Sequence, residues 1–352
     1  CPFVSSGLAF MGGLSTTTTN YYCFLLINKY RRDPRFITFY VKRRRLHMIT
    51  VSIERASLAK AVTQAQGALV DRSVSAICLR IKKNHIIVGC ADRVLTVYCQ
   101  ASCESSEEVD CFVPAKLFAD TVRELPSGPA ELVLKKGLLE VRTNQNSYFT
   151  MKIPLKSDTL WPNPPEVDSG DKAMAAEISS EKLSFMLEQV GFCISQTSAR
   201  NYGSVGFLHR TKNGLRLVGT DGFRLSYCEV RVDLPDNFLK SGVCVSKRAL
   251  TEMGRLCNQT QDTICLQISE DSTTMLAAAA DYKIYIALSA VKFPNYEGVI
   301  PKTKGAVISL DRYLLQEASK RVLLAADETK ALEMRFSSGV VELCSKTVGS
   351  SE

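Results

Sequence analysis

The sequence has few residues of the kinds that build metal centres, and it lacks the common phosphate-binding and hydrolase motifs. It contains only three histidines, and its 13 cysteines include no pair spaced as Cys-x-x-Cys. No apolar stretch approaches the roughly 20 residues that a membrane-spanning helix requires. The patterns GxGxxG, GxxxxGK(S/T), HExxH and GxSxG are absent. We therefore expect no metal, no cofactor, no catalytic residue and no membrane partner, and free thiols in a reducing compartment.

The positive charge of the chain is concentrated at one end. The 352 residues carry a net charge of +8, but eight basic residues and one acidic residue fall within residues 1–47. The remaining 305 residues hold 36 basic and 35 acidic side chains, so this body is nearly neutral. A neutral body argues against a protein that grips nucleic acid through a large basic surface.

Residues 1–47 differ in character from the rest of the chain. They begin with Cys1 and place a basic cluster, Lys42 to Arg45, after an apolar stretch. A secretory signal peptide has the opposite order. We interpret 1–47 as a non-native or disordered basic leader and Met48 as the natural start. A transit peptide and a DNA-binding tail are the alternatives.

The body contains a repeated apolar pattern. Ile53, Ile178 and Leu310 lie 125 and 132 residues apart, and each precedes apolar residues at offsets of 5, 8, 9 and 12. These offsets form one face of an amphipathic helix. The three faces are Leu58, Ala61, Val62 and Ala65; Leu183, Met186, Leu187 and Val190; and Leu315, Ala318, Ser319 and Val322, where serine is the exception.

A second helix with the same offsets follows Val113 and Val245, which are again 132 residues apart. Its faces are Phe118, Thr121, Val122 and Leu125, and Leu250, Met253, Gly254 and Cys257. Strand-like runs lie between and after the helices, at 86–97, 130–142, 148–153, 214–225, 263–268 and 283–288. Each unit thus reads strand, helix, strands, helix, strands, which predicts an α+β fold with local hairpins.

Proline-rich connectors separate the units. One begins at Trp161 and continues with Pro162-Asn163-Pro164-Pro165, and the other begins at Phe293. Proline lacks a donor for strand pairing and stiffens the backbone. We predict units at 48–172, 173–302 and 303–352. Only 42 residues follow Leu310, so we expect the third unit to be truncated.

Three short motifs occur in a fixed order within this triplicated body. They are Gly219-Thr220-Asp221-Gly222-Phe223-Arg224-Leu225, then Phe293-Pro294-Asn295-Tyr296, then Val299-Ile300-Pro301-Lys302. From Met48 to Glu352 the chain resembles the bacterial DNA polymerase III β subunits, the sliding clamps. The resemblance implies repeated DNA-clamp domains, two complete and one partial, with helices lining an inner face and antiparallel sheets outside. It implies a non-catalytic, cytoplasmic, nucleoid-associated ring that encircles duplex DNA and confers processivity on the replicative polymerase.

The resemblance also implies two sets of site residues. Sequence-independent DNA contacts would come from Arg72, Lys116, Arg200, Tyr202, Lys247 and Arg248. A pocket for partner peptides would be lined by Gly203, Thr220, Gly222, Phe223, Arg224, Leu225, Pro294 and Val299. Without the resemblance, the cations read as ordinary surface charges and Thr220-Asp221-Gly222 as a turn with glycine at positive φ. Asp92 and Asp221 read as turn residues.

The implied partners are the DNA polymerase III α subunit, the clamp loader, and other replication and repair polymerases. Phe223, Gly203 and Gly298 depart from residues that are frequent in the family, so we expect weak peptide binding. Family members form homodimeric rings, and we expect the 352-residue chain not to form one. The alternative function is an α+β protein-interaction scaffold that does not bind DNA.

Overall fold

The computed structural model describes residues 48–71, 75–143, 148–157, 159, 161, 174–197, 200–301, 305–326 and 331–345. They divide into two units, the first ending at Phe293 and the second beginning at Pro294. The leader 1–47 and the connector prolines at 162, 164 and 165 lie outside the described residues. The first unit contains two copies of one arrangement, which we call the first and second repeats.

The first repeat begins with a strand and a helix, as predicted. Its elements are β1 (Ile49–Glu54), α1 (Arg55–Ala65), a 3-10 turn (Gln66–Ala68), β2 (Ala76–Ile81), β3 (His85–Ala91), β4 (Leu95–Ser102), β5 (Glu104–Ser105), β6 (Val109–Pro114), α2 (Ala115–Glu124), β7 (Pro129–Lys135), β8 (Leu138–Thr143) and β9 (Phe149–Pro154).

The second repeat has the same element order, except that its described elements include no counterpart of the two-residue strand β5. Its elements are β10 (Met174–Ser179), α3 (Ser180–Gly191), the 3-10 turn (Asn201–Ser204), β11 (Val205–Thr211), β12 (Gly214–Thr220), β13 (Leu225–Val230), β14 (Val243–Ser246), α4 (Lys247–Gln259), β15 (Thr263–Ile268), β16 (Thr274–Ala279) and β17 (Tyr282–Ala287).

The strand order is also the same in the two repeats. The strands β1-β7-β8-β9 are neighbours in the first repeat, and β10-β15-β16-β17 are neighbours in the second. Likewise β4-β3-β2-β6 corresponds to β13-β12-β11-β14. Within each set the pairings are antiparallel. The predicted α+β class and the predicted repetition are therefore confirmed.

One sheet runs through both repeats. Strand β17 pairs antiparallel with β4, and this pairing joins four strands of each repeat into an eight-stranded sheet. Val97 lies opposite Ile284, and both side chains are fully buried. Paired residues share a face of the sheet. Because α1 packs on β4 and α4 packs on β17, the helices of both repeats lie on that same face.

The helical stripes predicted from the sequence form the core. Leu58, Ala61, Val62 and Ala65 of α1 are buried, and so are Leu183, Met186, Leu187 and Val190 of α3. The second helices bury Phe118, Thr121 and Val122 of α2, and Leu250, Met253 and Cys257 of α4. Helix α4 is the longest described helix at 13 residues. Among the described helices, none has the length and apolar character needed to cross a membrane.

Several strands were missed or merged in the sequence prediction. The run 86–97 is two strands, because the chain turns at Asp92 between β3 and β4. No predicted run covers β2, β5, β6, β11, β14 or β16, and the run 214–225 reaches only the first residue of β13. Strand β16 reads Thr-Met-Leu-Ala-Ala-Ala, which has only one β-branched residue and lacks the polar alternation that indicates a strand.

The aromatic residue at the start of each predicted connector lies on the strands of its own repeat. The Trp161 ring stacks on Tyr98 with ring centroids 5.7 Å apart, and Arg80 lies 4.0 Å above Trp161. Phe293 stacks on Phe207 with centroids 5.2 Å apart. The two anchors sit 132 positions apart, so the attachment of the connectors is repeated along with the domains.

The described cysteines are free thiols, and most of them are buried. Burial raises the pKa of Cys78 and of Cys111 to about 12. A thiol with so high a pKa stays protonated and is a poor nucleophile near neutral pH. These cysteines act as small core side chains.

The second unit contains helix α5 (Arg312–Leu323) and a hairpin of β18 (Leu332–Ser337) and β19 (Val340–Ser345). Asp311 caps the helix by accepting a hydrogen bond from the Leu314 N–H at 2.9 Å. The predicted stripe of Leu315, Ala318, Ser319 and Val322 is half-buried. The strand expected before α5 is absent from residues 305–310. Its equivalents β1 and β10 pair with strands that follow a second helix, and the described part of this unit contains no such strand.

Substitution of Leu183 by alanine tests the core assignment. Leu183 is 1% exposed on α3, whereas Phe185 on the same helix is 53% exposed. We expect Leu183→Ala to lower the free energy of unfolding by about 2–5 kcal/mol, because it removes transfer energy and leaves a cavity. Phe185→Ala is the matched control and should cost much less. Denaturant titration followed by circular dichroism measures both, and equal losses would contradict the packing described here.

Candidate DNA-facing helices and partner-peptide surface

The predicted DNA contacts on the second helices differ in their environments. Lys116 lies near the start of α2 with an exposed side chain. Lys247 is the first residue of α4. Its ammonium group donates a hydrogen bond to the Gly191 carbonyl at the end of α3. Burial lowers the pKa of Lys247. A cation beside the last carbonyl of a helix satisfies that group and interacts favourably with the helix dipole.

Arg248 is engaged within the chain. Its guanidinium pairs with the Asp92 carboxylate and donates to the Ala68 carbonyl, and both groups belong to the first repeat. The side chains of Arg248 and Asp92 are 30% and 20% exposed. The geometry therefore shows Arg248 at the contact between repeats. Arg72, another predicted DNA contact, lies outside the described residues.

The loop that carries Arg200 and Tyr202 touches the predicted peptide-pocket wall. The Arg200 Nη1 donates to the Tyr202 hydroxyl and to the Gly222 carbonyl, each at 3.3 Å. Its guanidinium also lies 5.7 Å from the centre of the Phe223 ring. Gly203 is buried in this loop, and its N–H donates to the Arg200 carbonyl at 2.8 Å. The fold thus brings together two sets of residues that the sequence treated separately.

The wall itself is a turn held by side chains. The Thr220 hydroxyl donates to the Arg224 carbonyl at 2.7 Å and accepts from the Gly222 N–H at 3.0 Å. The Asp221 Oδ1 accepts from the N–H groups of Phe223 and Arg224 at 3.0 Å each. Gly222 has φ of +90°, a conformation that favours glycine. The turn reading of these residues is confirmed.

Arg224 fixes the outer side of this turn. Its Nε lies 2.9 Å from the Asp221 Oδ2, and its Nη2 donates to the Phe192 carbonyl at 2.9 Å. Burial opposes ionisation of Asp221, but the two N–H groups and the guanidinium outweigh it and lower the pKa of Asp221. Leu225 follows as the first residue of β13 and is half-buried.

Exposed rings and arginines form a continuous patch on this side of the second repeat. Phe223 is 94% exposed and Phe192 is 59% exposed, and Arg224 lies 5.5 Å from the Phe192 ring centre. We call Phe192, Arg200, Phe223 and Arg224 the aromatic–arginine surface. Sequence reasoning missed Phe192, because it follows α3 and belongs to no periodic stripe. Exposed apolar patches of this kind mark interaction sites.

The other predicted wall residues belong to the second unit. Val299 ends a 3-10 turn (Tyr296–Val299) and is 68% exposed, and Pro294 is the first residue of the unit.

Within the described residues, no group of histidine, cysteine, aspartate and glutamate side chains could hold a metal ion.

The turn after β3 repeats the chemistry of the turn after β12. The Asp92 Oδ1 accepts from the N–H groups of Val94 and Leu95 at 2.8 Å each. Asp221 makes the same pair of bonds 129 residues later. The prediction that both aspartates are turn residues is confirmed.

Two family models match the two repeats in order. The model of the N-terminal domain of the DNA polymerase III beta subunit matches residues 49–158, and that of its central domain matches residues 177–295. The chain belongs to the DNA polymerase III beta subunit family. Together the two matches cover well over half of the chain. Each match falls on one of the two repeats that share a strand order.

Curated beta sliding clamps are similar to this family member over long alignments. The clamp of Proteus mirabilis is 26% identical over 300 residues, which cover 83% of this chain and 79% of that protein. The clamp of Pseudomonas putida is 23% identical over 242 residues, which cover 68% of this chain and 64% of that protein's length.

Solved structures of sliding clamps share the fold. A DNA polymerase sliding clamp from Pseudomonas aeruginosa superposes with a TM-score of 0.74 at 22% identity, covering 84% of this chain and 80% of that one. The clamp from Bacillus subtilis gives 0.76 at 17% identity, covering 86% and 81%. At identities this low, the structural similarity shows that the fold is shared.

A glycine pair tests the turn geometry. Gly222→Ala should destabilise the chain by about 1 kcal/mol or more, because φ is positive and the new Cβ would collide with the Arg200 guanidinium. The control is Gly254→Ala in α4, whose Cβ would meet only Leu187, at 3.9 Å. It should leave stability unchanged or raise it by up to about 1 kcal/mol. Thermal unfolding measures both, and a neutral Gly222→Ala would contradict the turn.

Proposed function

We propose that this chain is a sliding clamp that encircles duplex DNA and tethers a replicative polymerase to it. The match of two consecutive beta-subunit domains to two repeats that share one sheet is the observation that carries this function. The clamp makes and breaks no covalent bond. It works in the cytoplasm, in association with the nucleoid, as a processivity factor.

The internal repetition supports a ring. Strand β17 corresponds to β9 and strand β4 corresponds to β13, and β17 pairs with β4 where the repeats meet. Strands β9 and β13 lie at the ends of their sheets among the described strands of the first unit. An unpaired edge is a template for another strand. We propose that β9 and β13 take part in junctions of this same kind, so that repeated junctions close a homodimeric ring.

The charge distribution supports encirclement over tight binding. The body outside residues 1–47 has a net charge of only +1. Each phosphate that a protein neutralises strengthens binding and makes it more dependent on salt. A closed ring is retained by its topology, so a few contacts suffice. We propose Arg72, Lys116, Arg200 and Tyr202 as such contacts, whereas the internal bonds of Lys247 and Arg248 favour structural roles.

The partner site is proposed on the turn Thr220–Leu225 and the aromatic–arginine surface of the second repeat. An apolar groove with a few polar directing groups suits a short linear peptide. The proposed ligands are peptides from the DNA polymerase III α subunit, the clamp loader, and other replication and repair polymerases.

Encirclement is tested with a hybrid in which the third domain of a relative, the Proteus mirabilis clamp, follows Phe293. The hybrid joins the two repeats of this chain to the third domain of a curated clamp. After loading by a clamp loader, the hybrid should remain with nicked circular DNA through gel filtration and leave when the circle is cut. A protein-interaction scaffold would show neither behaviour, and retention on the cut DNA would contradict encirclement.

The peptide site is tested with Arg224→Ala and a fluorescent peptide from a polymerase α subunit. Arg224 holds the turn through Asp221 and Phe192, so its loss should weaken binding several-fold. Arg231→Ala is the control, since Arg231 is exposed just after β13. Fluorescence polarisation at constant salt gives both affinities, and equal effects would place the peptide elsewhere.

A further inference from the structure

The helix side of the junction between the repeats is organised around one arginine. Arg248 is the second residue of α4, and its two terminal nitrogens reach two different acceptors. Nη1 donates to the Asp92 Oδ2, and Nη2 donates to the Ala68 carbonyl. These acceptors lie 156 and 180 positions earlier in the chain. The planar fork of a guanidinium suits such a two-point contact, which a lysine ammonium cannot reproduce.

Both acceptors are held in place by hydrogen bonds that do not involve Arg248. The Asp92 Oδ1 is occupied by the N–H groups of Val94 and Leu95, which orients Oδ2 toward α4. Ala68 is fully buried at the end of the 3-10 turn Gln66–Ala68, and the Leu69 N–H closes that turn on the Gln66 carbonyl at 3.0 Å. Arg248 thus contacts two preorganised points of the first repeat.

Further contacts continue along α4. The Glu252 carboxylate occupies the space that a Cβ on Gly67 would fill, so α4 contacts the first repeat closely at this glycine. At the end of the helix, the Gln259 side chain accepts a hydrogen bond from the Gln64 amide. Helix α4 is therefore attached to the first repeat at its start, middle and end.

The repetition shows that this contact depends on a preceding domain. Lys116 of α2 occupies the position equivalent to Arg248, 132 residues earlier, and its side chain is exposed. Asp221 occupies the position equivalent to Asp92, and its Oδ2 pairs with Arg224 of its own turn. The Asp92–Arg248 pair therefore forms where one repeat follows another.

We infer that Arg248 is a positioning residue that sets the angle between the two repeats, and that it is not a phosphate contact. The β4–β17 pairing joins the repeats along one sheet, and the Arg248 fork fixes the helix layer above it. The functional value of this angle rests on the proposed ring, since the angle between consecutive domains decides whether the ring closes around a duplex.

Hydrogen exchange of the full chain tests the junction. Arg248→Ala should lower the protection of the Leu69, Val94 and Leu95 amides about tenfold, because local opening becomes easier. The matched control amides are those of Phe223 and Arg224, which make the equivalent bonds to Asp221 and should not change. Arg248→Lys keeps the charge but cannot span both acceptors. The Leu69 amide should therefore be as weakly protected from exchange as it is in Arg248→Ala. Asp92→Asn keeps Oδ1 and removes the charge, and it should expose Leu69 as well.

Salt dependence of duplex DNA binding separates this role from phosphate contact. Arg248→Ala should leave the slope of log K against log salt unchanged, whereas Lys116→Ala and Arg200→Ala should each reduce it by about 0.9. A reduced slope for Arg248→Ala, unchanged junction protection, or full protection in Arg248→Lys would overturn the positioning role. Unchanged slopes for Lys116→Ala and Arg200→Ala would instead refute the proposed DNA contacts and leave the junction result to stand.

Discussion

The rest of the first unit depends on the antiparallel pairing of β4 with β17. This single seam turns two four-stranded sheets from different repeats into one sheet of eight strands. Because Val97 and Ile284 meet on the buried face, the seam also decides that α1 and α4 lie on the same side. The layered arrangement, helices on one side and strands on the other, follows from one strand pairing and its register.

The arginines of this fold are largely committed to carboxylates within the chain. Arg80 pairs with Asp110 at 2.8 Å and Arg224 with Asp221 at 2.9 Å, and Arg216 and Arg248 also have acidic partners. Such pairs remove cations from the set that could bind phosphate. This pairing lowers the number of cations that can reach a ligand, in a body whose composition is already nearly neutral. It suits a protein that surrounds its ligand and does not need to hold it by charge.

The same turn serves two purposes in the two repeats. Asp92 and Asp221 each bind two backbone N–H groups through one carboxylate oxygen, which shapes the turn. The second oxygen is then available, and its partner depends on what lies nearby. In the first repeat it binds Arg248 of the following repeat, and in the second it binds Arg224 and helps to form the aromatic–arginine surface. The backbone turn is thus repeated, whereas the partner of the second carboxylate oxygen differs between the repeats.

The apolar periodicity of the sequence was enough to predict the buried faces of α1 to α4, the α+β class and the repetition, because burial on a helix leaves a local pattern of 3.6 residues. The turn residues Asp92 and Asp221 were also readable, since a turn is built from neighbours in the chain. Strands such as β16 were not, because their pairing partners, and not their own residues, hold them in place. Only the tertiary structure decided that Arg248 faces Asp92 and that Arg200 meets Phe223. These contacts join residues far apart in the chain, and no local pattern of side chains records which distant group will lie opposite.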